Sequence, residues 1–144
     1  MRNLSKLLLA FIFIGIFSSK LSAQESLYKR LGGYDAIAAV TDDFITRLAT
    51  DKSLSKFFVG HSDDSKKKIR QHIIDMVCMA TGGPCAYQGR DMKTSHKGLG
   101  ITEADWTTAV NHFVATLNKF NVPKKEQDEL IAIVATTKKD IVEK

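Results

Sequence analysis

The chain has 144 residues, 44% of them hydrophobic and 26% charged, with two cysteines and two prolines. One compact core normally takes about 100–150 residues, so these figures exclude a disordered chain and a two-domain enzyme. The formal net charge of +5 suggests an acidic partner until the charges are placed. Residues 1–23 carry Arg2, Lys6 and Lys20 and no acid, and the remainder holds 18 basic against 16 acidic side chains. That leaves too little basic excess on the folded part to recognise nucleic acid.

Residues 7–17 are an unbroken apolar run of eleven behind two positive charges, followed by Ser18, Ser19, Ser22 and Ala23. A spanning helix needs about 20 apolar residues, so the run predicts a secretory signal peptide over 1–23, cut after Ala23, rather than a stable membrane anchor. Residues 24–144 are then one domain, periplasmic or secreted. Export also changes the reading of Cys78 and Cys85, which flank the turn Gly82-Gly83-Pro84. In an oxidising compartment they form either a disulfide across that turn or two unlinked small apolar residues. Two cysteines with His72 nearby do not have zinc-finger spacing.

The rest reads as helices. Ile37, Val40, Phe44 and Leu48 recur at three- and four-residue spacing between Gly33 and Thr50. Ile69, Ile73, Met76, Val77 and Ala80 make a second stripe from Ser65 to Thr81, which Gly82 and Pro84 end. Thr102 followed by Asp105 suggests a capping box ahead of Trp106, Ala109, Val110, Phe113, Leu117 and Phe120. Pro123 suits a first helical turn, and Leu130, Ile133, Val134, Thr137 and Ile141 continue one last helix. No segment alternates as a strand would, so the fold class is all-α. A simple antiparallel bundle joins its helices in about 2–8 residues. Gly82 to Gly100, with five glycines, a proline and helical potential only over roughly 91–97, is too long and irregular for that.

Four histidines are candidates for chemistry. His96 sits in the irregular stretch, where an imidazole is either a transition-metal ligand, sufficient alone if a cofactor supplies the other ligands, or simply solvated. His72 falls at the edge of its helix's apolar stripe, able to face a cavity or water. His112 is packed or at the surface, and His61 is solvated. Phe57-Phe58 fits core packing or the edge of a planar aromatic ligand equally.

In order along the chain, Leu27 to Gly33 with its Leu-Gly-Gly, Asp43-Phe44, Phe57-Phe58 with Gly60, Gly82-Gly83-Pro84, Met92-Lys93, His96-Lys97-Gly98-Leu99-Gly100-Ile101 and Val122-Pro123 resemble the first group of truncated haemoglobins, the two-over-two globins. The resemblance implies a sandwich of helices around haem b, with His96 as proximal iron ligand and Phe58 packed on the haem beside Phe44 and Phe57. Tyr87, Met92, Ile101, Trp106 and Ala109 match positions bordering the haem. Lys93, Lys97 and Arg90 are either propionate partners or solvated.

On the distal side the chain departs from the pattern. Where many relatives carry a tyrosine that donates a hydrogen bond to dioxygen, it has Ile45, and Ile69 and Ile73 stand where polar residues often occur. An apolar wall there loses a charge-assisted hydrogen bond. His72 is the remaining polar candidate and matches a position that supplies a second iron ligand in some cyanobacterial relatives, although Gly60 to Gly82 is a few residues longer here. The resemblance implies binding of dioxygen, nitric oxide or carbon monoxide, with His72 as distal ligand or gate. Nitric oxide dioxygenation, which needs a reductase, and redox or electron transfer are the alternatives within the family. A haem-free helical interaction module is the alternative of another class.

Overall fold

The computed structural model describes residues 25–144, so the leader expected over 1–23 lies outside the described residues. Seven helices follow in chain order: α1 (Leu27–Arg30), α2 (Gly33–Thr50), α3 (Asp63–Ala80), α4 (Met92–His96), α5 (Glu103–Lys119), α6 (Lys124–Ala135) and α7 (Lys138–Ile141), with a 3-10 turn over Ser55–Phe58 between α2 and α3. Among the described residues there is no strand, as the apolar spacing predicts. None of the described helices is long and apolar enough to cross a membrane.

Local chemistry sets the ends of the helices. The Ser62 hydroxyl accepts from the Ser65 amide at 3.2 Å, so α3 starts at Asp63, earlier than its apolar stripe. Asp91 caps α4 through the Thr94 amide at 2.8 Å. The capping box of α5 is complete, with the Asp105 amide donating to the Thr102 hydroxyl and the Thr102 amide to the Asp105 carboxylate. The last helix, expected to be continuous, is two pieces. Thr136 and Thr137 turn their hydroxyls back onto the carbonyls of Ile133 and Val134, each at 2.7 Å, and their amides tighten onto the same two oxygens. This three-residue pattern competes with the α-helical ladder and breaks it. Pro123 stands one place earlier than expected, as the N-cap of α6.

α2 is the central element, packing against α3 on one side and α5 on the other. One core cluster joins Leu27, Phe113, Leu117 and Leu130, with Phe44 against it in an edge-to-face ring contact to Phe113 at 5.1 Å. A second joins Ile37, Ile74 and Cys78. Polar ties, several of them partly buried, join the helices. The Asp43 carboxylate on α2 accepts from Arg47 at 2.6 Å, from the Thr116 hydroxyl on α5 at 2.9 Å, and from Lys119. His112, read from sequence as packed or at the surface, is half-buried on α5 and pairs its Nε2 with Asp51 at 2.9 Å. Arg30 bridges α1 to Glu126 and Glu129 of α6.

Lys119 first, then Arg47, hold the Asp43 carboxyl well below its ordinary value of 3.8. A carboxylate whose folded value is depressed contributes stability above the ordinary value and loses it as the pH falls through the folded one. Asp43→Asn is therefore expected to lower the thermal midpoint at neutral pH, and the gap to the native protein should shrink between about pH 4 and about pH 2. A gap independent of pH would show that Asp43 does not act through its charge.

Candidate haem-binding site

The irregular stretch folds back because α3 ends on a turn that only small residues fit. The Gly83 amide donates to the Cys78 carbonyl at 2.8 Å. A Cβ on Gly83 would lie 2.7 Å from Cys78 Sγ and 2.5 Å from the Tyr28 ring, so no larger side chain is accommodated. Cys78 and Cys85 are joined as a disulfide with Cα atoms 5.7 Å apart, which decides between the two alternatives left by the sequence. The bridge ties the chain leading to α4 onto the last turn of α3.

Between α2, α3, α4 and α5 lies a cavity of about 760 Å³, within the range of about 300–1,000 Å³ usual for cofactor pockets. Of the residues singled out from sequence, Phe44, Phe57, Phe58, Ile69, His72, Ile73, Tyr87, Met92, His96, Ile101, Trp106 and Ala109 all line it. Ile45 does not. The wall residues Ala36, Ile37, Val40, Thr41, Phe44 and Leu48 occupy one arc of α2, and Ile45 falls about 40° past Thr41, just beyond its edge. Buried Thr41, one turn before Ile45, takes a place on that wall which the sequence reading missed. The signal was available, since Thr41 shares the face of Ile37, Phe44 and Leu48. His61, expected to be solvated, is exposed and also borders the cavity.

The two histidines on the wall differ in how the protein holds them. His96 Nδ1 lies 2.8 Å from the Met92 carbonyl, one turn back on α4. A carbonyl can only accept, so Nδ1 carries the proton and Nε2 keeps its lone pair. This is the arrangement that orients an imidazole for a metal. His72 has no such support, because its Nδ1 is buried without a hydrogen-bond partner. Its neighbour is the Tyr87 ring, edge-to-face at 5.8 Å. The Tyr87 hydroxyl cannot also serve His72 as donor, because it donates to the Arg90 carbonyl at 2.6 Å. Burial pushes the phenol above its usual range, so it keeps that proton at neutral pH.

Phe57 is fixed from outside: Lys56 Nζ sits 4.7 Å from its ring centre and 3.4 Å from Asp105, which also serves the α5 capping box. Arg90 borders the cavity from an exposed position, while Lys93 and Lys97 are exposed and off its wall. The site is thus a largely apolar cavity lined by aromatic side chains from several elements, with one oriented imidazole and one imidazole without a hydrogen bond at its buried Nδ1.

The family model of bacterial-like globins matches residues 26–143. The chain belongs to the bacterial-like globin family. It is 31% identical over 110 residues to the group 1 truncated hemoglobin of Mycolicibacterium paratuberculosis, covering 76% of this chain and 79% of that protein. The crystal structure of the truncated hemoglobin of Tetrahymena pyriformis in its Fe(III) form superposes with a TM-score of 0.75 at 26% identity, over 83% of this chain and all of that one. The 2/2 hemoglobin of a Synechococcus species, in the cyanomet state with covalently attached heme, gives 0.74 at 28% identity over 82% and 98%. This globin is therefore a group 1 two-over-two type, its cofactor is haem iron, and its ligands are diatomic gases. The cavity's aromatic faces and the free lone pair of His96 fit that cofactor.

The disulfide holds Tyr87 beside His72, so its removal should loosen that part of the wall. Closing a loop this short is worth about 2–3 kcal/mol. Replacing both cysteines by serine is expected to cost about that much in urea unfolding, and an unchanged midpoint would mean the turn is held by packing alone.

Proposed function

We propose that this globin binds a diatomic gas at a haem iron to which His96 is the fixed protein ligand and His72 a displaceable one. The observation that carries the reading is the His96 Nδ1 to Met92 carbonyl contact of 2.8 Å on the wall of the apolar cavity. Haem supplies the iron at which the gas binds. The protein supplies the rest: Phe44, Phe57, Phe58 and Trp106 present apolar and aromatic surface, which excludes water and favours a flat aromatic guest. Met92 holds the tautomer of His96, and Arg90, Lys93 and Lys97 are the cations available to the propionates.

His72 is suited to leave as well as to bind. No hydrogen bond fixes its tautomer, and its ring packs only edge-to-face on Tyr87, so the iron would be its one polar partner. A gas would compete with it, and apparent affinity would fall with the fraction of open site. Ile69 and Ile73 add no hydrogen-bond donor to the wall, and neither does Ile45 beside it. This globin therefore suits nitric oxide dioxygenation, with its need for firmly held dioxygen and a reductase, less well than simple gas binding. The apolar run at 7–17 and the disulfide both support a place outside the cytoplasm, in the periplasm or the medium. A haem-free interaction module would have no use for an oriented histidine facing an apolar slot.

Two spectra test these assignments. Protein purified with added haem should show a Soret band that His96→Ala abolishes or shifts strongly, and a band indifferent to that substitution would remove His96 as ligand. In the deoxygenated ferrous state, sharp split visible bands are expected that broaden in His72→Leu. A high-spin spectrum in the native protein would remove His72 from the iron.

A further inference from the structure

We propose that Glu143 is a positioning residue for His96, fixing the turn that follows it from outside the cavity. The proposal rests on His96 being the iron ligand. The turn Lys97 to Gly100 leaves α4 with the Leu99 amide donating to the His96 carbonyl at 3.1 Å. Gly98 and Gly100 both take left-handed conformations, with φ of +83° and +64°. Crowding does not demand glycine at either place. A Cβ on Gly98 would meet nothing within 4 Å, and one on Gly100 only the tip of Lys144 at 3.7 Å.

What these conformations achieve is to aim two amides at one point. The Gly98 and Gly100 N–H groups donate to the two carboxylate oxygens of Glu143 at 2.7 and 2.6 Å. Such a pair of backbone donors is an anion-binding concavity, filled here by the chain's own carboxylate. The two amides, helped by nearby Lys144 and Lys97, hold that carboxyl below its usual range.

The contact is one of several along the same edge. The Glu143 amide donates to the Ile101 carbonyl at 2.8 Å, and the Glu103 amide to the backbone oxygen of Lys144 at 3.1 Å. α7, just before, packs against α4. Residues 143 and 144 thus run beside the segment from His96 to the start of α5. Ile101 within that segment is buried on the cavity wall. His96 is therefore held by the Met92 carbonyl on its N-terminal side and by the Glu143 carboxylate, through the turn, on its C-terminal side. A ligand so braced keeps one distance and tilt relative to the cavity, and those set its bond to a metal.

The test compares haem-loaded native protein with Glu143→Ala and Glu143→Gln, the latter retaining one acceptor oxygen. The readouts are the iron–histidine stretching band recorded just after photolysis of the carbon monoxide form, and the rate of haem transfer to apomyoglobin. Glu143→Ala is expected to shift and broaden the band and to speed haem loss about tenfold, with Glu143→Gln between. Lys138→Ala, which cuts an exposed ion pair between α7 and Glu103, should leave the band in place. A band and a haem-loss rate unmoved in Glu143→Ala would overturn the proposal, reducing Glu143 to a stabiliser of the chain's last turn. The assignment of His96 fails on a different result, an iron–histidine band that survives in the double variant His96→Ala, His72→Leu.

Discussion

The functional geometry depends on one hydrogen bond, from the imidazole Nδ1 of His96 to the backbone oxygen of Met92. It settles which nitrogen has a lone pair to give, and it does so with a group that cannot change protonation. The carbonyl is within reach because Met92 stands one helical turn before His96 on α4, and its oxygen has a second lone pair for the ring. Asp91 caps the start of α4, and the irregular chain on either side leaves the ring free to line the cavity rather than a helix–helix seam.

The rest of the framework keeps the slot open while the core closes around it. Apolar side chains of α2, α3 and α5 are shared between the two core clusters and the cavity wall, so the same stripes that fold the chain also make the pocket dry. Exposed ion pairs such as Lys66–Asp63 contribute little by themselves. The ties that matter are Asp43 with Thr116 and Lys119 and Asp51 with His112, which join elements far apart in sequence, and the short-range disulfide at the end of α3. Each restrains a helix that contributes wall residues. Within this frame the ring of His72 stands out as a buried polar group without a hydrogen-bond partner.

Periodicity made most of the fold legible. The stripe from Ile37 to Leu48 gives α2 its full span, and Thr102 with Asp105 marks the start of α5. Twelve of the thirteen site residues line the cavity because helical spacing and family resemblance point at the same faces. Ile45 shows where that stops: a position one residue from Phe44 is turned about 100° away, and whether it reaches the slot depends on the rotation of α2, which the sequence does not fix. Thr41 was legible from its place on the face of Ile37, Phe44 and Leu48, but its hydroxyl keeps it out of a purely apolar pattern. The break between α6 and α7 depended on hydroxyls choosing backbone carbonyls over solvent. Glu143 was invisible for a simpler reason, since its partners are amides more than forty residues away and no side-chain pattern announces them.

Nitrogen-15 NMR of histidine-labelled, haem-loaded protein in the low-spin ferrous state with carbon monoxide reads the tautomer and the ligation of His96 together. A slowly exchanging proton on His96 Nδ1 is expected, with an Nε2 signal displaced to the position of an iron-bound nitrogen. A proton found on Nε2, or an Nε2 signal at the position of a free imidazole, would contradict this assignment.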